Sequence, residues 1–336
     1  MSSIWEDDGR DHRDLHRVIM ARRRRRALVL LVVGALLIAG IAYGVRSIDP
    51  IGSSEGCTVT ADGRTVDLDL DQAHNASLIA ATSIVRGLPA RAATIALAAA
   101  YQETDLHNLD HGDRDSLGLF QQRPSQGWGT AEQIMNPTYA VGSFYDALVK
   151  VPDYTSIDVT VAAQSVQRSA FPEAYADHEA DARILASALT GYSPGAFTCT
   201  IDKPSAAPQD MLESGLTPRA DAALSALKNA FGDLSVGGFE PGGVTTGHMT
   251  GSAHYEGRAV DVFFRPVSAD NQRSGWALAQ WAVANADRLD LATVIFDQQI
   301  WTAARSDEGW RTYVPPDGPT DNPILLHEDH VHVDVV

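Results

Sequence analysis

The stretch Ser252-Ala-His254-Tyr-Glu-Gly257-Arg258-Ala259-Val260-Asp261-Val-Phe263 decides how the C-terminal part of the chain is built. From Ala259 onward it alternates, with Ala259, Asp261 and Phe263 on one face of a strand and Val260, Val262 and Phe264 on the other. Both faces are apolar, so Asp261 is expected to be buried, where a carboxylate needs a partner charge or a metal. The chain's last residues alternate as strictly: His330, His332 and Asp334 share one face, Val331, Val333 and Val335 the other. Two imidazoles at i and i+2 on a strand stand about 6–7 Å apart and can converge on one point. Drawn from these and from His254 and Asp261, a set of two imidazoles and a carboxylate leaves a fourth position open, as catalytic zinc requires.

Working outward, residues 214–336 read as an α+β domain, with helices over Pro218–Phe231 and Gln272–Ala286 and short strands at Ala259–Phe264, Thr293–Phe296 and His330–Val335. Residues 201–213 are rich in Pro, Ala and Ser and read as a linker. Before them, residues 61–200 carry Ala-rich apolar patterns at helical spacing, over Ser77–Val85, Ala90–Glu103, Tyr139–Val149 and Ala176–Leu189. This predicts an all-α domain.

One acid is out of place in that domain. Pro89 suits the first turn of a helix on which Ala92, Ile95, Ala96, Ala99 and Glu103 share a face. Glu103 therefore ends an apolar stripe, close to the negative end of the helix dipole, and both circumstances raise a carboxylate's pKa. A carboxyl protonated near neutral pH is what a glycosidase uses to protonate a leaving oxygen. Tyr-Gln-Glu103-Thr, then Gly112-Asp113-Arg114, then Gly118-Leu-Phe-Gln121 resembles the lysozyme-like transglycosylase superfamily, and the Gly-Asp-Arg is most similar to goose-type lysozymes. The resemblance implies Glu103 as general acid, Asp113 as base or water-positioner with Asp115 as its substitute, and Gln121 and Tyr175 as cleft residues. The Ala-Tyr-Asn-x-Gly segment usual in lytic transglycosylases is replaced here by Ala162-Ala-Gln-Ser-Val-Gln-Arg-Ser169. Hydrolysis and formation of a 1,6-anhydro sugar both stay open.

The pattern Ser-x-His-x-x-Gly-x-Ala-x-Asp with a later His-x-His resembles the D-alanyl-D-alanine peptidase branch of zinc enzymes related to lysostaphin and hedgehog. The resemblance implies Zn²⁺ on His254, Asp261 and His332, with His330 moving a proton or stabilising an oxyanion. Relatives often place a Glu three residues before the last ligand and a Gly-Tyr-Arg near the domain start. Here Asp329 and Gly238-Phe239-Glu240 stand in those places.

Composition bounds the rest. Apolar residues make up 44% and charged residues 21%, as in folded protein. Residues 1–26 hold eight Arg and five acids, a net of +3; since the whole chain carries −17, the remainder carries −20. So acidic a body repels phosphate backbones and predicts no nucleic-acid partner. Residues 27–45 are nineteen uncharged, mostly apolar positions, just enough to cross a bilayer core. The basic run Arg22–Arg26 before them predicts a cytoplasmic tail at 1–26, a transmembrane helix at 27–45, a stalk at 46–60, and extracellular domains beyond. Cys57 and Cys199 flank the first domain and are expected to pair in an oxidising compartment.

The expected protein is thus a multidomain, membrane-anchored peptidoglycan hydrolase that cuts both glycan and stem peptides. The alternative is a wall-binding scaffold of an envelope-spanning assembly.

Overall fold

Gly56-Cys-Thr-Val-Thr-Ala61 and Arg64-Thr-Val-Asp-Leu68 alternate apolar and polar residues around Asp62-Gly63, whose φ values of 51° and 74° suit a two-residue hairpin turn. They form strands β1 (Gly56–Ala61) and β2 (Arg64–Leu68), with Cys57, Val59, Val66 and Leu68 turned inward. This is a computed structural model, describing residues 55–169, 171, 173–316 and 318–336.

Helix α1 (Leu70–Val85) begins at a capping box between Asp69 and Gln72, and α2 (Ala90–Thr104) follows an extended Pro89. Residues Ala92 to Tyr101 of α2 are all buried, so it is the central helix of this half. The short α3 (Ala131–Met135) packs on α4 (Pro137–Leu148), and around α2 lie α1, α4, α5 (Val159–Gln167) and α6 (Glu179–Leu189). Strand β3 (Phe197–Thr200) returns to pair with β1, completing a sheet of order β2-β1-β3 in which Cys57 and Cys199 are register partners joined by a disulfide.

The second half begins with α7 (Pro218–Phe231), capped by the Thr217 side chain. It continues through β4 (Val236–Gly237), β5 (Ala259–Phe263), α8 (Ala269–Ala284), β6 (Leu291–Phe296), β7 (Gln299–Thr302), β8 (Arg311–Thr312) and β9 (His330–Val335). The strands form one antiparallel sheet of order β4-β5-β9-β6-β7-β8. Pairing of β5 with β9 sets Asp261 opposite His332, which brings together two stretches of sequence about seventy residues apart.

Residues 55–336 form one compact unit with a continuous core. Helix α8 joins its halves. Buried Gln280 donates to the Ala188 carbonyl and accepts from the Phe197 amide, and Asn285 donates to Ser77. Trp301 and Trp310 donate to the carbonyls of Cys199 and Phe197. All residues of α8 from Gly275 to Ala284 are buried, as expected of a helix segment packed between neighbours on every side.

Two expectations are corrected. The first half is not all-α, because β1, β2 and β3 form a sheet within it, and residues 56–60, expected in a stalk, make up most of β1. Nor is the single-pass membrane topology upheld: among the described residues no helix is long and apolar enough to cross a membrane. The segment 27–45 that carried that expectation lies outside the described residues, as do 1–26 and 46–54.

Candidate functional site

Ser252 caps a short helical turn, Ala253–Glu256, that presents His254 beside β5, and β9 presents His330 and His332 next to it. Nε2 of His254, Nδ1 of His332 and Oδ1 of Asp261 lie 3.1, 3.1 and 3.2 Å from one another. Tetrahedral coordination with bonds of about 2.0–2.1 Å separates ligand atoms by about 3.3 Å, so these spacings are those of a zinc-sized shell. All three side chains are buried.

The far atoms of both rings are held. Nδ1 of His254 donates to the Gly238 carbonyl at 2.7 Å, and Nε2 of His332 donates to Asp334 at 3.2 Å. The nitrogen that faces inward is thereby fixed in each ring, which is how metal-binding histidines are oriented. Gly238 has a second task. Its φ is +81°, and a Cβ there would lie 2.3 Å from Cε1 of His254 and 3.0 Å from Asp261. Only glycine allows this approach.

Charge is balanced by contact. Burial works against ionised Asp261, but hydrogen bonds and charge from His254 and His332 hold its carboxyl below the usual range. Burial likewise opposes protonation of His332, yet Asp261 and Asp334 push its pKa up to about 9. A cation would take the place of that inner proton. His248 completes a group with His254 and Asp261 whose ligand atoms all lie within 4.8 Å, and this group can hold a metal ion.

His330 stands just outside. Its Nδ1 is 2.7 Å from Asp329, which also accepts from Arg265 at 2.6 Å, and its Nε2 is 3.8 Å from Asp261. Burial disfavours the ionised Asp329, but its bonds to His330 and Arg265 outweigh burial and lower its pKa. Asp329 therefore orients His330 rather than facing the centre. His327 packs its ring 4.6 Å from that of His330, and burial, with the neighbouring His330 and His332, lowers its pKa to about 3. His254, Asp261, His327, His330 and His332 line a cavity of about 430 Å³ with Tyr313.

The second candidate site is at the end of α2. Tyr175, fully buried, donates its hydroxyl to Glu103 at 2.7 Å, and Gln167 also bonds this carboxyl. Burial outweighs both donors and raises the Glu103 pKa. Gln167 and Trp128 line an adjoining cleft of about 820 Å³. Tyr175 thus holds the acid and is not a cleft-lining residue. The other expected members are elsewhere. Asp113 is 92% exposed, beside an exposed Arg114. Asp115 is tied to Arg123 and to the Ser125 amide, both of which lower its pKa. Gln121 turns its amide onto the carbonyls of His111 and Gly118, in space left by Gly112.

Gly238, Asp334, His248 and Gln167 carry parts of these sites that sequence reasoning did not assign. Asp334 had a signal, since it shares the alternating face of His330 and His332. His248 had none, lying in an aperiodic Gly- and Thr-rich run.

Residues 212–324 match the family described as VldE, C-terminal domain. The match includes His254 and Asp261 and ends ahead of β9. No curated protein matches the chain.

Proposed function

We propose that the chain is a peptidoglycan hydrolase in which a zinc centre on His254, Asp261 and His332 serves peptide cleavage and Glu103 serves glycan cleavage. The observation that carries the proposal is the triangle of inward-facing donor atoms at 3.1–3.2 Å, with each ring's other nitrogen fixed. Two imidazoles and a carboxylate suit the borderline character of Zn²⁺. When bound, zinc would polarise a carbonyl and acidify water. His330, oriented by Asp329 and Arg265, would accept a proton at Nε2 and deliver it to the departing amine.

For the glycan, the raised pKa of Glu103 and the cleft beside Gln167 favour proton donation to a glycosidic oxygen. Of the acids expected to act opposite Glu103, Asp113 projects into solvent and Asp115 is tied to Arg123 and the Ser125 amide, which favours internal closure to an anhydro sugar over attack by an activated water. A glycan-cutting and a peptide-cutting centre in one chain share peptidoglycan as a plausible substrate.

The alternative, a wall-binding scaffold, draws on the position of Asp329. It is committed to His330 and Arg265, at the position where the family that the motif resembles often places a Glu. Purified peptidoglycan incubated with the zinc-loaded full-length chain decides between the readings. Mass spectrometry should show cut stem peptides, lost on chelation, and anhydro-ended glycans that persist. Undigested wall that nevertheless retains the protein would favour the scaffold.

A further inference from the structure

We propose that His248 is a fourth, displaceable protein ligand of the metal centre, and that loop 241–251 opens and closes the site by carrying it. The inference rests on reading His254, Asp261 and His332 as a metal centre. It concerns whether that centre is open or closed.

His248 lies beside the centre, close enough to form with His254 and Asp261 a group that could hold a metal ion. Its ligand atom lies within 4.8 Å of those of His254 and Asp261, and its ring stacks on His254 with centroids 3.9 Å apart and planes 22° from parallel. Its backbone is clamped by Tyr255, whose hydroxyl accepts from the His248 amide at 3.1 Å and donates to the His248 carbonyl. Tyr255 belongs to the same short turn that presents His254. One turn thus places a ligand by its own side chain and a second imidazole through its neighbour's hydroxyl.

The loop is built to move. Gly242, Gly243, Gly247 and Gly251 all take positive φ, between 80° and 92°, and Gly242, Gly247 and Gly251 have open space where a Cβ would be. Pro241, Thr245, Thr246 and Thr250 are exposed. Little besides the Tyr255 clamp and the ring stack holds His248 down. Three protein ligands make an open zinc site and four a closed one. With the His248 ring turned off its stack on His254 so that a nitrogen aims at the ion, the centre would be protected but closed; with the loop lifted, the cavity of about 430 Å³ would be accessible to a peptide.

Cobalt(II) tests this without reference to activity. The chain's two cysteines are already paired, so His248→Cys introduces its only free thiol. In the cobalt-loaded full-length protein, His248→Cys should add a near-ultraviolet thiolate-to-cobalt band, whereas Thr250→Cys, on the same loop, should show only the weak visible bands of the bound ion. His248→Ala should weaken cobalt and zinc binding by roughly tenfold or more, in the range seen when a supporting residue of a metal site is removed. Visible cobalt bands without the near-ultraviolet band in His248→Cys would overturn the proposal and leave the metal centre standing. Failure of the unaltered chain to take up cobalt or zinc would overturn the metal centre itself, and this proposal with it.

Discussion

Asp261 and Glu103 are both substantially buried carboxylic acids, and the protein drives them in opposite directions. Around Asp261 the partners are imidazoles, whose hydrogen bonds and charge overcome burial and keep the carboxylate ionised. Around Glu103 the partners are neutral donors, Tyr175 and Gln167, which do not outweigh burial, so the carboxyl keeps its proton to higher pH. The first arrangement suits a cation. The second favours a retained proton. What separates the two is whether the surrounding groups can carry positive charge.

The largest effects should come from removing the side chains of the proposed ion site. His254→Ala, Asp261→Ala and His332→Ala should each abolish stoichiometric zinc retention, measured by elemental analysis after gel filtration. His330→Ala should keep the metal and lose stem-peptide cleavage, because its ring is held outside the triangle by Asp329. Loss of metal in His330→Ala would break the division between the histidine pair.

Glu103→Gln comes next. It preserves shape but cannot release a proton, so glycan cleavage should fall by about 10²–10⁴, as for an acid–base catalyst. Asp113→Asn should leave the rate within a few fold, since Asp113 projects into solvent. Equal damage from both substitutions, with reducing-end products, would restore the second carboxylate and turn the reading to hydrolysis.

Smaller effects should follow from the supports. Asp334→Asn should weaken zinc binding roughly 10–100-fold, the usual cost of disturbing a group that orients a ligand. A chelator-competition titration measures it. An unchanged affinity would mean that His332 is oriented by its strand alone.

The same contrast explains what could be read from the chain. Alternation in β5 and β9 made Asp261 and His332 legible because a strand's two-residue period fixes which side chains share a face, whereas His254 lies on the helical turn before β5 and was reached through its motif. The helix over Pro218–Phe231 was legible for a similar reason, with Thr217 and Pro218 marking its start. What failed had other causes. The Thr-Val alternation in Gly56–Ala61 was masked by its closeness to the apolar run, although Asp62-Gly63 was a readable hairpin signal. Asp113 was placed by a motif, but the loop turns it outward. Gly238 escaped notice because its importance lies in the side chains that approach it from other elements.

The smallest expected effect examines the stored proton directly. Because the folded-state pKa of Glu103 is raised above its ordinary 4.5, the native state holds this proton more tightly than the unfolded chain. The stabilisation it gives is therefore complete below the ordinary pKa and is lost as pH rises through the folded-state value. Gln carries one acceptor oxygen and one donor group, as a protonated Glu does, but does not titrate. Thermal melting of Glu103→Gln should accordingly match the unaltered protein at about pH 4. At neutral pH the variant should be the more stable, with the gap opening across the pH range in which native Glu103 ionises. The substitution that costs most in glycan cleavage would then be slightly stabilising, as expected where an acid is kept in an unfavourable place for its chemistry. A stability difference that stays constant with pH would show that Glu103 ionises normally, and the contrast with Asp261 would be lost.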